Sequence, residues 1–549
     1  MIIYRYKKLK FREKIVPKND IRYGLSSFKT IRENSFRYID KTEQIFNLIS
    51  EKNRCFFLAR PRRFGKTLLV DTLAEIFQGN KKLFRGLAIS KKKYEWKSFP
   101  VIRLDMSSVN KATPELVEQA LIEKIKKIAI DFNIKLESIT SIKDSNSYLS
   151  TLLQELEKQG RQSVILIDEY DYPVINHLHE GEKVASSFLK VLQEFYLALK
   201  VNSNSIHFLL LTGVTQLAHT TIFSGLNNLK DISYLPRFSD LLGYTQKELE
   251  TNFKKEIIRG AKSNSLTQRS FLNKVKEWYD GFRFSTKKLT VYNPSDINQF
   301  FQDGEVFNTY WISTGTPSFI LKLLSKFPNF NLQEKIQTPK SNFFRNIVLD
   351  LDKRLTVNDI IFLLYQCGYI TVIDIDDNGG YHLGFPNKEV EISFTNYLTS
   401  ALYNEKINYF DDYTYITGYL KEGNPRKFVE NLDTLFKSLS HPTQKYQENA
   451  IGLAISTILS LSQDIDVENQ IHSGKGITDV VAITKDTIYI MELKVDGSAK
   501  KALTQIKNKQ YANLYKNRAK YKKKRIVMMG ISFNSKDATV KELAMDPET

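Results

Sequence analysis

Along the first 240 residues, short unbroken apolar runs alternate with longer stretches in which apolar positions recur every three or four residues. Unbroken runs suit strands buried on both faces, and the longer period suits amphipathic helices. The region therefore predicts an α/β domain around a largely parallel sheet. Strands are expected at Cys55–Ala59, Val101–Asp105, Val164–Ile167 and His207–Thr212. From 241 to 430 the pattern becomes mainly helical, interrupted by NPSD at 293–296, STGTPS at 313–318 and a hairpin pattern in DIDDNGGYHLGF. We read this stretch as a helical lid or connector. Residues 431–549 open with helical periodicity, pass through two short strands, and return to a helix and a final strand, IVMMGISF. Three regions result, 1–240, 241–430 and 431–549, with no internal repeat, Pro-rich linker or low-complexity tract between them.

Composition changes this picture in few places. At 549 residues the chain is long enough for more than one core, and 42% hydrophobic and 12% aromatic residues favour folded domains over disorder. No apolar run approaches the ~20 residues of a bilayer span. The basic start, MIIYRYKKLKFREK, lacks the apolar segment and cleavage site of a secretory signal. Cys55 and Cys367 each sit inside an apolar stretch, which predicts two reduced core thiols and a cytoplasmic chain. The formal charge of +19 favours a polyanionic partner, although scattered lysines ordinarily do no more than solvate a surface. Clustering matters more than the total: Ala499 to Arg525 holds eleven Lys or Arg and no Asp or Glu. Nucleic acid, DNA ahead of RNA, is the partner this block predicts. No membrane is implied, and a homo-oligomer is left open.

The first candidate for chemistry is Arg60-Pro61-Arg62-Arg63-Phe64-Gly65-Lys66-Thr67, set between an expected strand and the helical pattern LLVDTLAEIF. In that context main-chain N–H groups and a helix N-terminus face an anion, as in a P-loop. Arg63, Gly65, Lys66 and Thr67 become the nucleotide-binding candidates, with Lys66 on the β/γ-phosphates and the Thr67 hydroxyl on Mg²⁺. The usual pattern opens with Gly, and here Arg60 takes that place. The alternative is a basic strand-to-helix turn. Against it stands Ser163-Val164-Ile165-Leu166-Ile167-Asp168-Glu169, an apolar run ending in two carboxylates where open α/β sheets bind ligands. Asp168 suits Mg²⁺, and Glu169 suits polarising a water. Thr212, ending the fourth strand, either senses the γ-phosphate or simply caps its strand.

A second constellation lies near the C-terminus, in Gly476-Ile477-Thr478-Asp479 and Glu492-Leu493-Lys494. An even-length hairpin loop centred between Lys485 and Asp486 pairs positions whose numbers sum to about 971, with directly opposed Cβ atoms ~5 Å apart. Asp479 then faces Glu492, and Lys494 shares the face of Glu492. Two opposed carboxylates destabilise a sheet unless a cation separates them, a demand that Mg²⁺ or Mn²⁺ meets with hard oxygen ligands and open positions. Lys494 could orient or deprotonate the attacking water, or stabilise charge on phosphate. An exposed charged hairpin is the competing interpretation. Upstream, an amphipathic helix carries Glu448 near its start, either a third acidic metal ligand or a residue suited to the helix N-terminus. Downstream, Gln505 could reach the site from the helix inside the cationic block, with a solvent-facing glutamine as the default.

Taken together, these segments resemble bacterial proteins that join an AAA-ATPase-like region to a PD-(D/E)XK nuclease-superfamily region. The resemblance rests on YIDKT at 38–42, RPRRFGKT at 60–67, LIDEYDYPV at 166–174 and TGVTQLAHTTIFSGLNNLKDIS at 212–233. It continues through WYDGFRFS at 278–285, VYNPSDI at 291–297, YWISTGTPSF at 310–319 and GFPNKEV at 384–390, and ends with GITDVVAITKDTIYIMELKVDGSAKKALTQI and GISF. YQEN at 446–449 is a weaker match. The resemblance implies a P-loop NTPase domain with a parallel sheet that binds ATP, a mainly helical middle and a C-terminal α/β restriction-endonuclease-like domain.

The function these residues favour is an ATP-regulated, Mg²⁺-dependent nuclease acting on phosphodiesters. Lys66, Thr67, Asp168 and Glu169 would run the nucleotide cycle, and Asp479, Glu492 and Lys494 would cut. The alternative is a nucleotide-dependent switch whose C-terminal domain binds nucleic acid or protein without cleaving it. A third is an NTPase with a passive C-terminal anchor.

Overall fold

The computed structural model describes residues 20–136, 144–217, 229–311, 353–394, 410–439, 448–460, 465–473 and 476–548 apart from Asn517, with short pieces between 320 and 349. The basic N-terminal stretch, residues 218–228 of the TGVTQLAH segment, STGTPS at 313–318 and the first two residues of YQEN lie outside the described residues.

Five parallel strands form the N-terminal sheet: β1 (Cys55–Ala59), β2 (Val101–Asp105), β3 (Ser163–Asp168), β4 (Ile206–Gly213) and β5 (Leu229–Asp231). Their order across the sheet is β2-β3-β4-β1-β5. Every residue of β1 and β3 is buried, so side chains on both faces are covered. That is why these strands read as unbroken apolar runs. Because β4 lies between β1 and β3, the loop after β1 and the carboxylates after β3 flank the end of β4, where Thr212 sits.

The middle of the chain is mainly helical, with helices such as Lys254–Ser263, Gln268–Tyr279, Pro294–Gln302 and Val357–Gln366. The expected hairpin is present as β7 (Thr371–Ile375) and β8 (Gly380–Gly384), joined by β6 (Lys340–Ser341) in a small antiparallel sheet. Phe282, Phe284, Tyr365, Cys367 and Tyr369 of this region pack into the same apolar core as β1, β3 and β4. Both cysteines are buried free thiols.

The C-terminal sheet contains β9 (Asp466–Ser473), β10 (Gly476–Ile483), β11 (Thr487–Val495), β12 (Arg525–Phe533) and β13 (Val540–Glu548), in the order β13-β12-β11-β10-β9. Neighbours are antiparallel except β11 and β12, which run parallel. The parallel pair requires a crossover, and the helix Ala499–Lys509 lies on that connection. The strand pattern shows only the inner strands of this sheet. Edge strands β9 and β13 are rich in polar residues, and β13 carries Pro547, features that edges tolerate and that conceal them in a hydropathy pattern. Among the described residues, no helix is long and apolar enough to cross a membrane.

Candidate functional site

The turn between β1 and the helix Lys66–Phe77 reverses through left-handed backbone at Arg63, φ 68°, and Gly65, φ 91°. Gly65 is the residue just before the helix, so free N–H groups of the first turn line its mouth. Lys66 is buried, and its Nζ donates to the carbonyls of Arg60 at 2.9 Å and Pro61 at 3.0 Å. An ammonium held by carbonyls of its own loop can exchange them for phosphate oxygens. Burial lowers its pKa, against the nearby charges of Asp168, Glu169 and Asp171. Thr67 is exposed beside it.

Asp168 ends β3 and is buried. The Thr212 hydroxyl donates to its Oδ1 at 2.6 Å, so Thr212 orients the carboxylate from the adjacent strand. Glu169 leaves the strand in left-handed backbone, φ 53°, and burial raises its pKa against the pull of Lys66. Sequence reading missed Asp171. It is buried and accepts from Val214 N at 3.2 Å, Thr215 N at 2.7 Å and Thr215 Oγ1 at 2.5 Å, tying the segment after β3 to the end of β4. Gly213 is required there, because a Cβ would stand 2.5 Å from the Tyr170 ring.

Arg60, the departure from the usual glycine, is a buried cation that takes no direct part in the cradle. Its guanidinium donates to the carbonyls of Ala59, Ser233 and Phe238 and lies 4.2 Å from the Phe284 ring centre.

In the C-terminal sheet, β10 and β11 pair Val480 with Met491 and Ile483 with Ile488, the register expected from an even-length loop at Lys485-Asp486. Thr484 N donating to Thr487 O at 2.8 Å closes that turn. The paired register ends at Val480 and Met491, so Asp479 and Glu492 lie one step beyond it and the direct opposition expected of them is not among its pairs. Asp479 Oδ2 accepts from Leu493 N at 2.8 Å. Glu492 is buried, and its Oε1 accepts from Gln505, so this glutamine faces the site rather than solvent. Lys494 Nζ lies 3.2 Å from Glu448 Oε2 and 3.7 Å from Glu492 Oε1. Glu448 opens the helix Glu448–Ser460 and acts here as the partner of Lys494.

The electrostatics follow from this crowding. Burial pushes the Glu492 carboxyl up to about 8, and the negative charge of Asp479 adds to the effect. Burial also raises Asp479, against its bond from Leu493. For Lys494, burial opposes the charged form, but the bond and charge of Glu448, with Glu492 and Asp479, leave its pKa raised. Among the described residues Glu492 Oε2 is buried with no hydrogen-bond partner, which is expensive for a carboxyl oxygen. Asp479 and Glu492 would hold a divalent cation, and carboxylates, one of them with an unsatisfied oxygen, are the hard donors that such an ion takes. As the side chains stand, no three His, Cys, Asp or Glu groups converge as metal ligands among the described residues.

Two family models match the chain. The model described as Predicted AAA-ATPase covers residues 22–223, and that of the PD-(D/E)XK nuclease superfamily covers residues 446–543. The chain is also 29% identical over 541 residues to the uncharacterized protein in vnfD 5'region of Azotobacter chroococcum mcd 1. That match spans 94% of this chain and 97% of the relative. The phosphate loop falls inside the first model and the carboxylate hairpin inside the second, so one polypeptide joins a predicted AAA-ATPase domain to a domain of the PD-(D/E)XK nuclease superfamily.

Proposed function

We propose that this protein binds and hydrolyses ATP and that its nucleotide state controls a metal-dependent nuclease acting on nucleic-acid phosphodiesters. The supporting observation is the Glu492 carboxyl, whose Oε2 is buried without a partner among the described residues, whose Oε1 lies 3.7 Å from Lys494 Nζ, and which feels the charge of Asp479. A binding module that never used a cation would gain nothing by keeping that oxygen unsatisfied.

Asp479 and Glu492 would hold Mg²⁺ or Mn²⁺, with Glu448 available from its helix. Once bound, the cation supplies Lewis acidity toward a phosphate oxygen and lowers the pKa of a bound water. Glu492 would bind the cation as its carboxylate. Gln505 fixes the orientation of the Glu492 carboxyl. Lys494, kept protonated by its acidic neighbours, orients the water and stabilises charge growing on the phosphate. In this reading it is an electrostatic group and not the base. Cations of the 499–525 block would hold the nucleic-acid backbone without reading sequence.

At the other end of the chain, Lys66 would move from the Arg60 and Pro61 carbonyls to the β/γ-phosphates. Main-chain groups at Arg63 and Gly65 would cradle the phosphates, and Thr67 and Asp168 would hold Mg²⁺, with Thr212 steadying Asp168. Glu169 would polarise the attacking water. Residues 1–240 form the nucleotide part, 241–430 the connector and 431–549 the nuclease part of this division of labour, in a cytoplasmic setting. Cleavage assays on DNA and RNA panels with Mg²⁺ or Mn²⁺, with and without ATP, test the proposal. Metal-dependent cutting is expected. Nucleic-acid binding without cutting under every condition would favour the switch alternative instead.

A further inference from the structure

Arg60 occupies a costly position. Its guanidinium is fully buried, and its directly bonded partners are main-chain carbonyls and a ring face. Its Nε is buried without a partner among the described residues. A buried cation held this way is hard to justify by stability, because neutral carbonyls return little of the desolvation cost.

Its location suggests a different role. The Arg60 carbonyl is one of the two acceptors of Lys66, and its N–H donates to Gly213 O at 3.0 Å. Its side chain reaches Ser233 and Phe238, beyond β5, and Phe284 of the helical middle region. Neighbouring loop residues make parallel contacts. The Phe64 ring lies 4.9 Å from Phe282 and 5.3 Å from Phe284. A Cβ on Gly368 would come within 2.9 Å of Pro61, which shows how closely the middle region approaches the loop. The phosphate loop is therefore gripped at Arg60, Pro61 and Phe64 by residues far along the chain.

We propose that Arg60 is a positioning residue that transmits nucleotide occupancy of the loop to residues 233–238 and to Phe284. The inference rests on the ATP reading above. When Lys66 turns to phosphate, the Arg60 and Pro61 carbonyls lose their ammonium partner and that peptide is free to shift. Arg60 is the side chain on that peptide, so a shift there displaces its carbonyl bonds and its stacking on Phe284. A glycine at this position would allow phosphate binding but would have no side chain to carry the change outward.

The test is hydrogen exchange on the full-length chain, with and without Mg²⁺ and a non-hydrolysable ATP analogue. In wild type, residues 64–70 report occupancy directly, and 233–238 and 282–284 should change with nucleotide by about ten-fold, within the usual range of coupling between sites. Arg60→Met should keep the response at 64–70 and lose it at 233–238, with Arg60→Lys partly restoring it. A response at 64–70 in wild type with silence at 233–238 overturns the relay and leaves the ATP reading intact. So does an Arg60→Met protein that responds like wild type. No response at 64–70 in wild type overturns both. Should Arg60→Met fail to fold, Phe284→Leu retains the carbonyl bonds and should lose only the 282–284 response; an undiminished response there overturns the proposal.

Discussion

Gly530 offers a direct test of how the nuclease site is assembled. It pairs with Glu492 across the parallel strands β11 and β12, beneath the helix Ala499–Lys509 that carries Gln505. A Cβ at residue 530 would stand 2.1 Å from Ala499 O and 2.6 Å from Leu503 N. Both are main-chain atoms, so no side-chain rotation relieves the clash. Restoring ordinary contact requires the helix to retreat by about 1.3 Å. Gly530→Ala should destabilise the C-terminal domain by about 1–3 kcal/mol, as overpacking does. It should also draw Gln505 away from Glu492, and a misplacement of about 1 Å at a catalytic site can reduce turnover roughly 100-fold. Gly452→Ala is the comparator, because its Cβ would meet only Leu493 Cδ1, at 3.4 Å, on the helix Glu448–Ser460. That change should be neutral or stabilise by up to about 1 kcal/mol through helix propensity. Thermal unfolding and cleavage kinetics on both variants decide the matter, with ATP binding as the control that should not move. If Gly530→Ala cuts and unfolds like wild type, the helix does not lie on Gly530 and Gln505 does not depend on it.

Other perturbations separate the remaining parts. Lys66→Ala should lose Mg²⁺-ATP binding by calorimetry, whereas Glu169→Gln should bind and fail to hydrolyse; folded wild type that binds no ATP refutes the nucleotide site. Lys522 and Lys523 are exposed, so replacing both should lower the salt dependence of nucleic-acid affinity by about two in log–log slope. Lys524 donates to the carbonyls of Thr484 and Lys485, both at 2.6 Å, and its replacement should leave that slope unchanged. Glu389 is fully buried, and burial pushes its carboxyl up to about 8. Below that pH the folded chain keeps a proton that the unfolded chain has released, so stability should fall as pH rises from about 5 towards 8, by up to about 1.4 kcal/mol per unit. Asp296 is buried beside Glu389 and its carboxyl is raised as well, by burial and by Glu389, so Glu389→Gln combined with Asp296→Asn should flatten the profile in denaturant unfolding, and a profile identical to wild type would show that the pair ionises normally.

How much was legible in the sequence depends on whether a contact is local. The strands β1, β3 and β4 could be read because burial on both faces leaves an uninterrupted apolar signature. β5 is three residues, Leu-Lys-Asp, with no apolar run to find. The β10–β11 register was legible from Ile483–Ile488 to Val480–Met491 because a two-residue loop fixes the pairs next to it, but the Asp479–Glu492 pair expected one step further is not in that register. Contacts between distant segments were not. Nothing near Arg60 in sequence announces Ser233, Phe238 or Phe284, and Asp171 looks like one more acidic residue in a loop. Gln505 meets Glu492 only because Gly530 lets a helix settle on the sheet. The same dependence on tertiary packing changes the meaning of the basic block, where a lysine such as Lys524 is spent on a turn rather than offered to a partner.

The most direct measurement is cleavage of a nucleic-acid panel by the wild type, Asp479→Ala, Glu492→Ala, the double variant and Lys494→Ala, with Mg²⁺ or Mn²⁺ and ATP. The account predicts metal-dependent cutting by wild type, its loss in each single variant, and a double variant no worse than either carboxylate change alone, because groups acting as one unit are not additive. Nucleic-acid binding should persist throughout. A wild type that cuts nothing under any of these conditions, or an Asp479→Ala protein that cuts as well as wild type, would contradict it.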